Sequence, residues 1–281
     1  MKSEIWIIKI GSQIIVEEGP LFIQSIVRDI AQLKKSKNIQ VIIVSSGAIA
    51  TAKVRTQKNW KSLKEKQALS AIGQPLIMNL YNTALHEHGL LGAQILLTYA
   101  DFKNLNNRKN FLNTLKQLLQ WNMVPILNEN DAIATEEIQF GDNDMLSAMV
   151  AAEIKAKKLI LLTNVNGIFD RDPSDPQAQV IPVIENIQTF KIKGSQKKSQ
   201  YGRGGLPSKL LASKLASKSG IESHVVKGSL ANVLINLGAG HKTGTTIKAS
   251  SKSNKKLKFG KATGQKLKTV KKTAMAFKRH K

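Results

Sequence analysis

The feature that most constrains this chain is an alternation. Short, nearly unbroken runs of Ile, Val and Leu recur between longer stretches with helical periodicity. A strand that is apolar at every position must be covered on both faces, which is the signature of a parallel sheet with helices on either side. Residues 4–10 (EIWIIKI), 40–44, 94–98, 124–127, 158–163 and 224–226 read as strands. One helix is expected from Gly19-Pro20 onward, where Ile23, Ile26, Val27, Ile30 and Leu33 share a face. Another is expected from the capping box Ser62-Leu63-Lys64-Glu65 towards His88-Gly89, with a kink or break at Pro75. Further helices are predicted over 106–120 and 143–155, from Pro207 to Ser219, and near 230–237. Residues 133–140 read as a short hairpin outside the sheet, and there is no internal repeat.

Charge divides the chain in two. The sequence carries 43 Lys+Arg against 19 Asp+Glu, a formal +24. Residues 248–281 hold 13 basic residues and no acidic one, with few large apolar side chains. Such a segment cannot bury enough surface to fold alone, so the expected organisation is one domain over 1–247 and a disordered basic tail over 248–281. That tail is also a candidate for non-specific contact with nucleic acid. No apolar run is long enough for a membrane span, and the charged N-terminus does not read as a signal peptide, so a cytoplasmic location is expected.

The chemistry is narrowed first by what is missing. With no cysteine, disulfides, thiolate catalysis and cysteine metal sites drop out. There is no GxxxxGK[ST] loop, no GxGxxG after the first strand, and no HExxH or GxSxG. The five histidines do not cluster at ligand spacing. What remains is a series of strand-end loops: Lys9 with Gly11-Ser12; Ser45-Ser46-Gly47; Asn128-Glu129-Asn130-Asp131; Gly141-Asp142-Asn143-Asp144; Thr163-Asn164; and residues 201–209 (YGRGGLPSK). Taken singly, each is an ordinary turn, helix cap or connector. In an open parallel sheet, however, they all fall at the carboxyl ends of strands, where such sheets bind ligands. Two lysines, backbone N–H groups beside glycines and several carboxylates are the equipment of phosphoryl transfer, which depends on positioning and charge neutralisation.

The segments IIKIGSQ, VIIVSSGAIA, VPILNENDAIAT, FGDNDMLSA, LILLTNVNGIF and GRGGLPSK, in that order, resemble the amino acid kinase superfamily and, within it, the glutamate 5-kinases. The likeness runs from Glu4 to about Ile247. It implies a three-layer αβα sandwich around a mostly parallel sheet, with the acceptor site in the N-terminal part and the nucleotide site in the C-terminal part. The activity implied is ATP- and Mg²⁺-dependent phosphorylation of the 5-carboxylate of L-glutamate, the first step of proline biosynthesis. By the same resemblance, Lys9 and Lys209 contact the transferred phosphoryl group and Asp144 holds the two lysines. Ser46, Asp131 and Asn143, with Asn128 and Asp142 nearby, match glutamate-binding positions. Lys9, Gly11, Ser12, Thr163, Asn164 and the run Arg203, Gly204, Gly205, Leu206, Pro207, Ser208 and Lys209 match ATP-binding segments. A homo-oligomer and functional coupling to glutamate-5-semialdehyde dehydrogenase are implied as well. The competing readings are a kinase of the same superfamily acting on an N-acylated amino acid, aspartate, carbamate or a nucleoside monophosphate, and a nucleic-acid-binding regulator driven by the tail. Three departures stand out: Asn164 where the family has Asp, Leu206-Pro207 where Met and a small residue are usual, and a basic tail where many members carry a PUA domain.

Overall fold

Strand β1 (Glu4–Ile10) lies in the interior of the sheet, as a strand apolar on both faces must. The computed structural model describes residues 3–133, 143–191 and 205–251. Within them β1 joins β2 (Ile39–Val44), β3 (Gly92–Leu97), β4 (Val124–Glu129), β5 (Lys158–Thr163), β6 (Val183–Ile184), β7 (Glu222–Lys227) and β8 (Thr245–Ile247). The order across the sheet is β3-β4-β2-β1-β5-β7-β8-β6, and all neighbours are parallel except β7 and β8.

The helices are α1 (Ser12–Lys37), α2 (Ala48–Thr56), α3 (Leu63–His86), α4 (Tyr99–Lys103), α5 (Leu105–Gln120), α6 (Asp144–Ile154), α7 (Leu206–Lys218) and α8 (Val233–Gly238). Alternation along β1 sends Trp6, Ile8 and Ile10 to one face, where they meet Ile26 and Ile30 of α1, Tyr81 of α3 and Leu234 of α8. Ile7 points the other way, into a second core with Leu115 of α5, Leu146 of α6 and Ala212 of α7. Helix, sheet and helix thus form the three expected layers. No helix among the described residues is long and apolar enough to cross a membrane.

Several local expectations need correction. Helix α1 starts at Ser12, well before Gly19-Pro20; Gly19 breaks it with φ 65° and ψ −154°, and Pro20 then restarts it, where its missing N–H costs nothing. Pro75 does not interrupt α3. The carbonyl that loses its partner there belongs to Ala71, which is exposed and can be hydrated. Helix α8 begins at Val233 because Asn232 takes a left-handed conformation. Strands β6 and β8, of two and three residues, are too short to show a periodic pattern. Hydrogen bonding also runs past Ile247: Lys248 N donates to Ile184 O, and Ser250 N to Ser217 O. The hairpin expected over 133–140 and the tail from residue 252 lie outside the described residues.

Helices α2 and α3 cross at backbone distance. A Cβ added at Gly73 would overlap the carbonyl of Ala48, the first residue of α2. An alanine there gains up to ~1 kcal/mol of helix propensity but must push apart two helices whose close approach positions the β2–α2 turn. We expect Gly73→Ala to be net destabilising by ~1–3 kcal/mol, the usual cost of overpacking. A urea-unfolding midpoint equal to or above that of the parent would contradict the close crossing.

Candidate active site

Strand alternation decides where Lys9 goes. Two residues beyond Ile7, it faces the side of the sheet covered by α6 and α7, and it is only 4% exposed. Asp144 is the first residue of α6, a position where the helix dipole favours a carboxylate, and it is completely buried. Lys209 comes from the start of α7. The three meet. Lys9 Nζ lies 2.7 Å from Asp144 Oδ1, and Lys209 Nζ 3.2 Å from Asp144 Oδ2. The Ser208 hydroxyl donates to the same Oδ2 at 3.1 Å. One carboxylate therefore bridges two ammonium groups at the carboxyl end of β1, largely removed from water.

The surrounding turns suit an anion. Gly11 ends β1 and precedes α1 with no side-chain cap, so the first N–H groups of α1 open onto the rim. A Cβ on Gly11 would come 3.8 Å from Lys9 Nζ, so the backbone passes beside that amine. Gly47 has φ 94°, a conformation that favours glycine, and a Cβ there would lie 3.5 Å from Ser12 Cα; the turns after β1 and β2 touch. Ser46, in the second turn, is partly buried. Thr163 ends β5 beside them, and its hydroxyl lies 3.4 Å from Oδ1 of the exposed Asn164. Gly205 precedes α7, Leu206 packs on the second core, and Pro207 sits in the first turn, where no intrahelical N–H is needed.

On the other side of Asp144 the chemistry changes from charge to amides. Asn143, the residue before α6, is 4% exposed; its Nδ2 donates to Ser45 O and to Asn128 Oδ1, both at 2.6 Å. Asn128, at the end of β4, is equally buried. Asp131 follows in the next turn, and burial alone pushes its carboxyl up to about 6. Asp142, Arg203 and Gly204 lie outside the described residues. Among those described, no three His, Asp or Glu side chains gather as a metal site.

Sequence reasoning missed two side chains that support this set, Tyr81 and Gln74, and placed Ser45 only in the turn after β2. Ser45 Oγ and Tyr81 OH are 3.0 Å apart, and complete burial raises the phenol above its ordinary pKa. Gln74 hydrogen-bonds Asn128. A Gln on the buried stripe of α3, between Leu69, Ser70 and Gly73 on one side and Ile77 and Met78 on the other, is the available signal, because an amide in an apolar stripe needs a partner.

A parallel αβα sandwich with a buried two-lysine cluster at its strand ends defines a small-molecule phosphotransferase type, and residues 4–227 match the model of the amino acid kinase family. The chain belongs to that family. Its relatives include the glutamate 5-kinase of Caldanaerobacter subterraneus subsp. tengcongensis, 41% identical over 253 residues, which are 86% of this chain and 67% of the relative. The glutamate 5-kinase of Thermus thermophilus is 38% identical over 252 residues, with the same two shares. The chain thus spans about two thirds of the length of these relatives. Among solved structures, the UMP kinase of Ureaplasma parvum superposes with a TM-score of 0.58 over 88% of this chain and 100% of the other; at 16% identity the likeness is one of fold.

Replacing Asp144 by Asn keeps the shape but leaves two lysines facing each other. We expect Asp144→Asn to lower stability by ~3–5 kcal/mol, the cost of removing one partner of a buried ion pair. A thermal-unfolding midpoint within a degree or two of the parent would show that the lysines do not depend on this carboxylate.

Proposed function

We propose that the protein transfers the γ-phosphoryl group of ATP to the 5-carboxylate of L-glutamate, giving glutamyl 5-phosphate and ADP. The observation that carries the proposal is the bridged set Lys9–Asp144–Lys209 at the carboxyl end of β1. The relatives at 38–41% identity point to the same acceptor.

The acceptor carboxylate, with an ordinary pKa of ~4.3, is ionised at neutral pH, so no general base is required. One of its oxygens attacks Pγ as the bond from Pγ to the β,γ-bridging oxygen breaks; the electron pair leaves with ADP and no proton moves. The obstacle is the approach of two anions. Lys9 and Lys209 offset it, while Asp144 keeps the two ammonium groups separated and aimed. The open N–H groups at the start of α1 and the turns at Thr163-Asn164 and Gly205–Lys209 would hold the phosphates and nucleotide. Magnesium enters as MgATP, carried on phosphate oxygens, where it withdraws charge from the group in transfer.

The amide side of the site takes the amino acid. Ser46, Asn128, Asp131 and Asn143 line it, and Asp131 is the natural partner of the α-ammonium group, which an N-acylated amino acid or a nucleotide lacks. In ATP-turnover assays with Mg²⁺ we expect activity with glutamate and little with aspartate, N-acetylglutamate or nucleoside monophosphates. Preference for any of these others would overturn the assignment.

Lys9→Ala and Lys209→Ala should each lower kcat by about 100-fold or more, the scale of losing a preorganised contact to developing charge; near-normal turnover in either would remove that lysine from the mechanism. The glutamate KM should depend on pH through Asp131. Its carboxyl is protonated below about 6 and then cannot pair with an ammonium. KM should therefore rise as pH falls, by roughly tenfold from pH 7 to pH 5. Asp131→Ala should raise KM by about 10- to 100-fold at pH 7 and flatten that dependence. A steep dependence surviving in Asp131→Ala would assign the titration elsewhere.

A further inference from the structure

Between α2 and α3 the chain concentrates charge of one sign. Residues 53–66 (KVRTQKNWKSLKEK) hold six basic residues and one acidic one. A face kept merely soluble usually alternates its signs and pairs them. Here the one carboxylate is committed to its own helix cap: Glu65 Oε2 accepts from Lys61 N at 2.7 Å, from Ser62 N at 2.8 Å and from the Ser62 hydroxyl at 2.9 Å. Lys53, Arg55, Lys58, Lys61 and Lys64 are all exposed, and none of them makes an ion pair with a described residue.

Local structure accounts for only part of this. Lys53 and Arg55 lie in the last turn of α2, where the helix dipole favours cations. Lys64 lies in the first turn of α3, where the same dipole disfavours them, and Lys58 and Lys61 belong to the connecting loop. The corner is also braced. Lys53 Nζ from α2 and Lys66 Nζ from α3 lie 5.5 Å and 5.8 Å from the centroid of the Trp60 ring, whose π-face attracts both. The partly buried Trp60 thus ties the two helix ends together and keeps cations from both on one surface.

We infer that the α2–α3 corner is a docking surface for the phosphodiester backbone of a single-stranded nucleic acid. A run of braced cations with no carboxylate turned to answer them matches a chain of phosphates, and a single strand is flexible enough to follow a corner between two helices. Phosphate contacts carry no base readout, so binding is independent of sequence. An anionic membrane fits less well, because an interfacial anchor needs a continuous apolar face. The buried residues of α2 are Ala48 and Ala52, with Ala48 against Gly73 of α3, and only Val54 and Leu63 in this stretch are exposed large aliphatic side chains. Residues 252–281, with 12 basic residues and no acidic one, offer a second block of the same sign.

The test uses the full chain, poly(U), and phosphatidylcholine vesicles containing phosphatidylserine, with affinities measured across a salt series. Poly(U) affinity should fall as salt rises, with a log–log slope of about −0.7 per phosphate contact. Lys53→Gln, Lys58→Gln, Lys61→Gln and Lys64→Gln together should make that slope shallower by about 3 and weaken binding at low salt by about tenfold or more. The thermal-unfolding midpoint should not fall, and ATP turnover should hold. Should the fourfold variant not fold, the loop pair Lys58→Glu and Lys61→Glu should shift slope and affinity in the same direction. Trp60→Leu removes no charge, so the slope should stay while affinity drops about threefold as the lysines separate; an unchanged affinity there overturns the bracing role. A slope and affinity in the fourfold variant equal to those of the parent would assign all binding to residues 252–281 and overturn the inference. Tighter binding of the vesicles than of poly(U), or no binding of poly(U) at low salt, overturns it as well.

Discussion

One carboxylate answering two lysines is the interaction on which the arrangement of this molecule depends. Its three members come from three separate elements, and Asp144 and Lys209 are 65 residues apart in the chain. None can be displaced without exposing the others to an uncompensated charge in a poorly hydrated place. The requirement explains features that look unrelated. Lys9 needs the parity of Ile7 along β1, α6 must begin at residue 144, and α7 must start close enough for both Ser208 and Lys209 to reach the same oxygen.

The layers of the fold were legible because strand and helix periods differ and the chain keeps them apart. β1, β5 and the capped start of α3 appear where residues 4–10, 158–163 and Ser62–Glu65 indicate them. The charged half of the site was legible for a related reason: Lys9, Asp144 and Lys209 each sit at the junction of a strand or helix with a loop, and a parallel sheet gathers such junctions. Pro75 does not break α3, because the carbonyl it frees, that of Ala71, is exposed and can be hydrated. The supporting amides stayed hidden for a different reason. Gln74 acts through which neighbour's carbonyl or N–H it meets, and that information exists only once α3 has been laid against the end of β4.

The two halves of the site use opposite physics. On the charged side, Coulomb attraction varies slowly with distance and tolerates small errors of placement. On the amide side, each contact depends on which atom donates and which accepts. Asn143 and Asp144, adjacent in sequence, belong to different halves. The start of α6 is thus the seam between a charged region and an amide-lined one.

The position of β1 within the sheet has a consequence for the life of the chain on the ribosome. Of the described strands this one is made before the others, and β2 soon covers one of its edges, but β5, which covers the other, begins far downstream. With about 150 residues to add after Ile10 at ~5–20 residues per second, that edge waits roughly eight to thirty seconds for its partner. During that interval a ribbon containing Trp6, Ile7, Ile8 and Ile10 has unpaired amides and an apolar surface on the nascent chain. The geometry of the lysine cluster and vulnerability to aggregation during synthesis therefore share one origin: the strand that delivers Lys9 is central, and of the described strands it waits longest for its second neighbour.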